Sequence, residues 1–395
     1  NVSSVRHVGD ILQRTMMWLF ITVTYLICTT DSSSASPEVS MDVGEIVRYH
    51  GYPYEEHEVV TEDGYYLTLQ RIPHGRDNSE STTPKPAVLL QHGLVLEGSN
   101  WVTNLPNRSL GFILADAGYD VWIGNSRGNS WSRKHKEFEF YSEKYSSYSF
   151  HEMAMYDLPA TINYILQKTG QEQLYYVAYS QGTTTGFIAF SSIPELDHKI
   201  KMFFALAPIT TSSNMKSPLV RVFDLPEGLI KVGSPLTLLW FHRQNLFLKQ
   251  VTSRLCGYTF FKSFCSLVLY LPGGFTNSLN VVRILQITQC GCAVGKRTVS
   301  WSHQLLDMGQ TAMLFIFQST PPFYELENMK APLAAWFGGR DWISAPEDVN
   351  ITLPRITNVA YKKYIPEFVH FDFLWGVQAY EQIYKEMLEL MKKNA

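Results

Sequence analysis

The sequence predicts an α/β fold in which a mostly parallel sheet carries helices on both faces. The chain has 395 residues, of which 45% are hydrophobic and 14% aromatic, so it can bury a large core. Short apolar runs recur without alternation between apolar and polar residues, which is typical of strands buried on both faces. Segments with helical spacing separate these runs, and this alternation indicates βαβ units.

The predicted elements follow one another in a regular order. Asp63 and Gly64 lie between two β-prone stretches and predict a hairpin, and the polar patch after it, residues 78–86, is a predicted loop. The apolar runs predict strands at residues 87–90, 119–123, 174–178, 202–207, 334–337 and 361–365. Helices are predicted at residues 153–167, 182–190 and 379–391.

One long segment, residues 209–320, interrupts the alternation of strands and helices. It is rich in Leu and Phe with Gly and Pro punctuation, and we interpret it as a cap or lid inserted into a single catalytic domain of residues 37–395. The segment contains Cys256, Cys265, Cys290 and Cys292. An oxidising compartment would permit a Cys256–Cys265 bridge, and four free buried thiols are the alternative.

The N-terminal region has the composition of a secretory signal. Residues 16–28 are apolar, follow Arg14 and precede a small polar run. A membrane span needs about 20 apolar residues, so a signal with an upstream extension over residues 1–36 is favoured over a transmembrane anchor. Asn107 and Asn350 begin N-x-S/T patterns, which predict N-glycosylation in the secretory pathway.

The charge of the chain argues against a polyanionic partner. The formal net charge is −3, with no long run of like charge. Binding to nucleic acid normally requires a basic excess. We therefore expect no nucleic-acid partner.

The strongest chemical motif lies at Ser180. A buried-strand pattern runs into Ala178-Tyr179-Ser180-Gln181-Gly182, and a helix is predicted directly after it. This is the context of a nucleophile elbow, where small residues two positions before and after the serine let strand and helix approach closely. An ordinary strand–turn–helix junction is the competing interpretation.

Two backbone amides are candidates for an oxyanion hole. The strand at residues 87–90 leads into His92-Gly93, so the amide of Leu94 is one candidate donor and that of Gln181, directly after the serine, is the other. Fixed backbone amides suit this task because they need no side-chain ordering. His92 itself is expected to support the loop.

The candidate base and acid follow the serine in the order that a nucleophile elbow requires. His370 lies near the C-terminus, and Asp341 follows the apolar strand at residues 334–337. His303 also follows Ser180 but precedes the acid, so its order is wrong. Asp372 competes with Asp341, and we interpret it as a structural carboxylate because the acid normally comes from the preceding strand end.

These residues resemble the acid lipase family, which has the α/β-hydrolase fold, over most of residues 37–392. The matching motifs are Gly51-Tyr52-Pro53, Thr61-Glu62-Asp63-Gly64-Tyr65, Leu90-Gln91-His92-Gly93-Leu94, residues 110–122, Gly124-Asn125-Ser126-Arg127-Gly128-Asn129, Gly338-Gly339-Arg340-Asp341-Trp342 and His370-Phe371-Asp372-Phe373. By position, the resemblance assigns the family's nucleophile to Ser180, its acid to Asp341 and its base to His370.

The resemblance also implies further site features and an activity. The family's oxyanion amides fall on Leu94 and Gln181, and its disulfide falls on Cys256 and Cys265. A mobile lid is implied within residues 240–275. The implied reaction is hydrolysis of acylglycerol or sterol esters at an oil–water interface, with no metal and no organic cofactor.

The chain departs from the family pattern at several positions. Ala178 replaces a glycine, and Tyr179 replaces the usual histidine. Residues 289–297 diverge from the family, and a short block is missing before Pro321. These departures keep two alternatives open, namely a catalytically impaired lipid-binding homologue with an altered cap and an enzyme that transfers the acyl group to an alcohol.

Overall fold

The computed structural model describes residues 36–77, 84–140, 142–211, 213–218, 266–267, 270–276, 278–279 and 324–394. The predicted secretory signal, His303, all the cysteines and most of the predicted cap insertion lie outside the described residues. The predicted disulfide and the boundaries of the cap therefore stay predictions.

The described residues form one 8-stranded sheet with the strand order β1-β2-β4-β3-β5-β6-β7-β8. The first two strands are antiparallel to their neighbours, and every other pair is parallel. This confirms the prediction of a mostly parallel sheet. The strands are β1 (Glu55–Val60), β2 (Tyr66–Ile72), β3 (Ala87–Gln91), β4 (Asp120–Gly124), β5 (Leu174–Tyr179), β6 (Ile200–Leu206), β7 (Leu333–Gly338) and β8 (Val359–Ile365).

The predicted hairpin joins β1 to β2. Thr61 accepts the amide of Tyr65 on its side-chain hydroxyl and donates its own amide to the Tyr65 carbonyl at 2.8 Å. Gly64 has φ +97°, a conformation that glycine adopts without a steric penalty. The Asp-Gly pair therefore marks the turn, as the sequence predicts.

The central strands are buried on both faces, as their continuous apolar runs predict. Every residue of β4, β5 and β7 is buried. The strand predicted at residues 361–365 is confirmed as part of β8, but its predicted burial on both faces is wrong, because residues before Ile365 alternate between half-buried and exposed positions. One face of this edge strand is half-buried and the other face is exposed.

The helices cover both faces of the sheet. Tyr175, Val177 and Tyr179 belong to one core cluster, whereas Tyr176 and Ala178 belong to the other, because successive side chains of a strand point to opposite faces. The α-helices of four or more residues with both ends among the described residues are α1 (Val43–Tyr49), α2 (Leu110–Asp116), α3 (Leu158–Thr169), α4 (Gln181–Ser192), α5 (Pro194–Asp197), α6 (Pro346–Thr352), α7 (Asp372–Trp375) and α8 (Lys385–Lys393).

The three predicted helices are confirmed, with small extensions. Wider π-helical turns at Met153–Asp157 and Tyr380–Tyr384 lead into α3 and α8, so both helical stretches begin before their regular part. Within the described part of the chain, no helix combines the length and apolar character that a bilayer span requires.

Candidate active site

Ser180 occupies a strained turn between β5 and α4. Its φ and ψ are 54° and −123°, a conformation that residues with a side chain rarely adopt. The Ser180 amide donates to the Leu206 carbonyl at 3.0 Å, and the Ser180 carbonyl accepts the amide of Thr183 at 2.8 Å. These bonds hold the turn in place from β6 and from the first turn of α4.

Small residues allow the close packing around this turn. A Cβ atom on Gly182 would lie 2.7 Å from the Gln91 carbonyl oxygen and 2.8 Å from that of His92. Helix α4 therefore starts in direct contact with the end of β3. Ala178 is fully buried, and it pairs in register with Gln91 and with Ala205. The elbow thus accommodates the methyl group of Ala178 within the sheet.

His370 lies between Ser180 and Asp341. Its Nε2 is 2.9 Å from Ser180 Oγ, and its Nδ1 is 2.8 Å from Asp341 Oδ2 and 3.0 Å from Oδ1. All three side chains are buried. The structure therefore brings the three residues together in one hydrogen-bonded chain, although they are far apart in sequence.

Asp341 follows the end of β7 and is fixed by backbone donors. Its Oδ1 accepts the amides of Ile343 and Ser344, each at 2.8 Å. The loop of His370 is joined to the same region, because the Arg340 amide donates to the Phe368 carbonyl at 3.0 Å. The carboxylate and the imidazole are thus oriented by the backbone around them.

Asp372, the competing acid, has other partners. Its Oδ2 accepts the Val369 amide at 3.0 Å, and its Oδ1 accepts the hydroxyls of Ser278 and Thr276. Burial raises the pKa of this carboxyl above its ordinary value. Asp372 therefore joins the loop of His370 to Thr276 and Ser278, while Asp341 is the carboxylate beside the imidazole.

The two candidate oxyanion amides, those of Leu94 and Gln181, belong to segments that adjoin Ser180. Gln181 follows it directly, and Leu94 follows Gly93, where an added Cβ would lie 3.3 Å from Ser180 Oγ. Neither amide has an acceptor among the described residues. Both therefore stay candidate donors to an oxygen of a bound substrate.

His92 supports the loop that carries Leu94. Its Nδ1 donates to the Gly93 carbonyl at 2.8 Å, and its Nε2 accepts the Ser126 amide at 3.1 Å. These bonds fit a neutral imidazole. Burial lowers the pKa of His92 to about 4, which keeps it neutral over most of the pH range.

Comparison with known proteins identifies the family. A family model described as a partial α/β-hydrolase lipase region matches residues 43–105, and one described as the α/β hydrolase fold matches residues 86–230. Human lysosomal acid lipase/cholesteryl ester hydrolase is 47% identical over 376 residues, covering 91% of this chain and 93% of that protein. The chain belongs to the acid lipase family of α/β-hydrolases.

Other acid lipases are similar along nearly their whole length. Mouse lipase member M is 46% identical over 412 residues, covering 98% of this chain and 96% of the relative. Human gastric triacylglycerol lipase is 40% identical over 401 residues, with coverages of 96% and 100%. A solved esterase from Thermogutta terrifontis, 14% identical, shares the fold with a TM-score of 0.50 and coverages of 86% and 99%. Membership of this family confirms the predicted enzyme class, a serine hydrolase acting on carboxylic esters.

A buried ion-pair network joins two of the acid lipase motifs, the one at residues 61–65 and the one at residues 124–129. Arg127 is buried, and its Nη1 lies 2.6 Å from Asp63 Oδ2 while its Nε lies 2.8 Å from Asp157 Oδ1. The guanidinium also lies over the Tyr65 ring, 3.9 Å from its centroid. Arg127 therefore joins the β1–β2 hairpin to the start of α3. The sequence marks both motifs but gives no sign of their pairing.

The two predicted glycosylation acceptors of this acid lipase are exposed. Asn107 precedes α2, and Asn350 lies within α6. The hydroxyl residues of the two N-x-S/T patterns, Ser109 and Thr352, are buried. Glycosylation at these asparagines stays a prediction.

Proposed function

We propose that this chain is a lipase that cleaves acylglycerol or sterol esters through an acyl-enzyme, with Ser180 as nucleophile, His370 as base and Asp341 as acid. The observation that supports this most directly is the hydrogen-bonded chain from Ser180 Oγ through His370 to Asp341. Its distances are those at which a nucleophile, a base and an orienting group act together.

The proposed reaction has two halves. His370 Nε2 takes the proton of Ser180 as Oγ attacks the ester carbonyl, and the negative oxygen that forms accepts the amides of Leu94 and Gln181. His370 then gives the proton to the leaving alcohol, and the C–O bond breaks. Water, activated by His370, attacks the acyl-enzyme, and the acid departs as Ser180 regains its proton. These steps need no metal or organic cofactor.

The substrate class follows from the relatives. One is named a cholesteryl ester hydrolase and another a triacylglycerol lipase, so we propose a lipid ester at an oil–water interface as the substrate. The chain is a protein of the secretory pathway, secreted or in the lysosomal lumen, in agreement with its lysosomal and gastric relatives.

The test compares Ser180→Ala with the unaltered chain on a short-chain ester, triolein and cholesteryl oleate, at acidic and neutral pH. Loss of the nucleophile is expected to lower kcat by roughly 10⁶-fold and to abolish labelling by a serine-directed phosphonate. Ser191→Ala, in the same helix but bonded to the Ile188 carbonyl, is the matched control. Unchanged hydrolysis by Ser180→Ala would remove Ser180 from the mechanism.

The same panel separates the two alternatives. Tight binding of cholesteryl oleate by the unaltered chain, with no acid released from any ester, would favour the impaired lipid-binding homologue. Transfer of the acyl group to an added alcohol in preference to water would favour an acyltransferase. The short Ser180–His370 distance supports turnover over binding alone.

A further inference from the structure

Tyr179 connects the strand of the nucleophile to the loop of the base. It is the last residue of β5, directly before Ser180, and its side chain is buried. Its hydroxyl donates to the backbone carbonyl of His370 at 3.0 Å. Its ring is tilted by 40° against the His370 ring, with the centroids 5.0 Å apart. One side chain thus contacts both the backbone and the imidazole of His370.

Besides its bond to Ser180, His370 makes three hydrogen-bonding contacts among the described residues. Its amide donates to the Gly273 carbonyl at 3.2 Å, its Nδ1 bonds Asp341, and its carbonyl accepts the Tyr179 hydroxyl. Of these contacts, the one from Tyr179 comes from the strand that ends at Ser180. A shift of the His370 loop away from Ser180 would therefore have to break or stretch the Tyr179 bond.

We propose that Tyr179 is a positioning residue that keeps His370 Nε2 at the correct distance from Ser180 Oγ. The proposal rests on the proposed function, since it assumes that these two atoms exchange a proton. A base displaced by about 1 Å loses roughly a hundredfold in rate, because proton transfer depends on reach and alignment. Tyr179 acts through His370 and does not touch the substrate in this scheme.

The phenol suits this task because it stays a donor. Burial raises the pKa of Tyr179 well above the ordinary value, and the nearby carboxylates of Asp341 and Asp372 raise it further. The hydroxyl therefore keeps its proton at the acidic and neutral pH values at which a lipase assay is run.

The chain offers a matched control in the same strand. Tyr175 lies on the same face of β5 and is equally buried. Its hydroxyl also donates to backbone carbonyls, those of Met391 at 3.1 Å and Asn394 at 3.2 Å, which lie at the C-terminal end of the chain. Tyr179→Phe and Tyr175→Phe thus remove the same group from the same face of one strand, and only the first change affects a contact with His370.

The experiment measures kcat and KM on p-nitrophenyl butyrate, with rates counted per Ser180 labelled to completion by the phosphonate. Tyr179→Phe is expected to lower kcat roughly tenfold to a hundredfold with KM changed less than about twofold. Tyr175→Phe is expected to leave both constants unchanged, while thermal unfolding shows a similar loss of stability in the two variants. Equal kcat values for the two variants would overturn the proposal.

A second Tyr179 variant and measurements on the unaltered chain distinguish failure of the positioning role from failure of the proposed function. Tyr179→Met also lacks the hydroxyl, and its flexible side chain adapts to the same core space. It is therefore expected to show the same fall in kcat. This variant replaces Tyr179→Phe in the experiment if Tyr179→Phe does not fold. If the unaltered chain neither hydrolyses esters nor labels at Ser180, the proposed function fails. If the unaltered chain is active and the Tyr179 variants match it, only the positioning role fails.

Discussion

Gly93 packs so closely against Ser180 that a Cβ atom on Gly93 would lie 2.8 Å from Ser180 Cβ. The same atom would lie 3.1 Å from the Tyr179 ring. Contacts shorter than about 3.0 Å between such carbon atoms force one of them to move. Because Leu94 follows Gly93 directly, the bare backbone at Gly93 sets how closely the candidate oxyanion amide approaches the serine.

Gly93→Ala tests this packing. We expect the added methyl group to displace Ser180 or the Leu94 amide and to lower kcat/KM by about a hundredfold or more. Gly118→Ala is the control, since Gly118 has φ +94° with nothing within 4 Å of an added Cβ. That change should cost roughly 1–2 kcal/mol of stability through the backbone alone and leave kcat/KM intact. Full activity in Gly93→Ala would contradict the tight packing.

Paired substitutions distinguish the two carboxylates near His370. Asp341→Asn removes the charge that orients the imidazole, and we expect kcat to fall by about 10⁴-fold, as in other serine triads. Asp372→Asn should lower the free energy of unfolding by about 1–3 kcal/mol, because it disturbs the buried bonds to Val369 and Ser278, with a much smaller loss of kcat. Ester kinetics and urea unfolding measure the two effects. The reverse ranking in kcat would make Asp372 the acid.

His92 should make the fold sensitive to acid. Its pKa is lowered from 6.5 to about 4 by burial, so between these values the unfolded chain binds a proton that the folded protein does not. The stability contributed by neutral His92 is therefore present above about pH 6.5 and declines as the pH falls toward about 4. His92→Gln removes this titration and should reduce the loss of stability over that interval.

Urea unfolding at several pH values between neutral and acidic conditions measures the effect. The contribution of one such group is at most about 1.4 kcal/mol per pH unit. His198→Gln, at an exposed histidine, controls for the loss of any imidazole. If the stability curves of His92→Gln and the unaltered chain stay parallel down to acidic pH, the buried histidine does not contribute to acid sensitivity.

The sequence predicts the sheet well because its signals are local. Asp63 and Gly64 mark the turn of the hairpin, and the continuous apolar runs mark strands that are covered on both faces. The expected burial on both faces fails at β8, where alternate residues are exposed on one face of the strand. Whether a sheet face is covered depends on where distant segments pack, and no short stretch of sequence encodes that.

The candidate site likewise has features that follow from local sequence and features that depend on the tertiary structure. By itself the sequence determined the family and the order of the candidate residues Ser180, Asp341 and His370, because these depend on residue type and position along the chain. It favoured Asp341 over Asp372 from chain order. Only the tertiary structure decided that the Asp341 carboxylate lies beside the imidazole, and that Tyr179 reaches the His370 carbonyl across 191 positions of sequence. Those contacts exist because parallel strands end at one edge of the sheet, where loops that are distant along the chain meet.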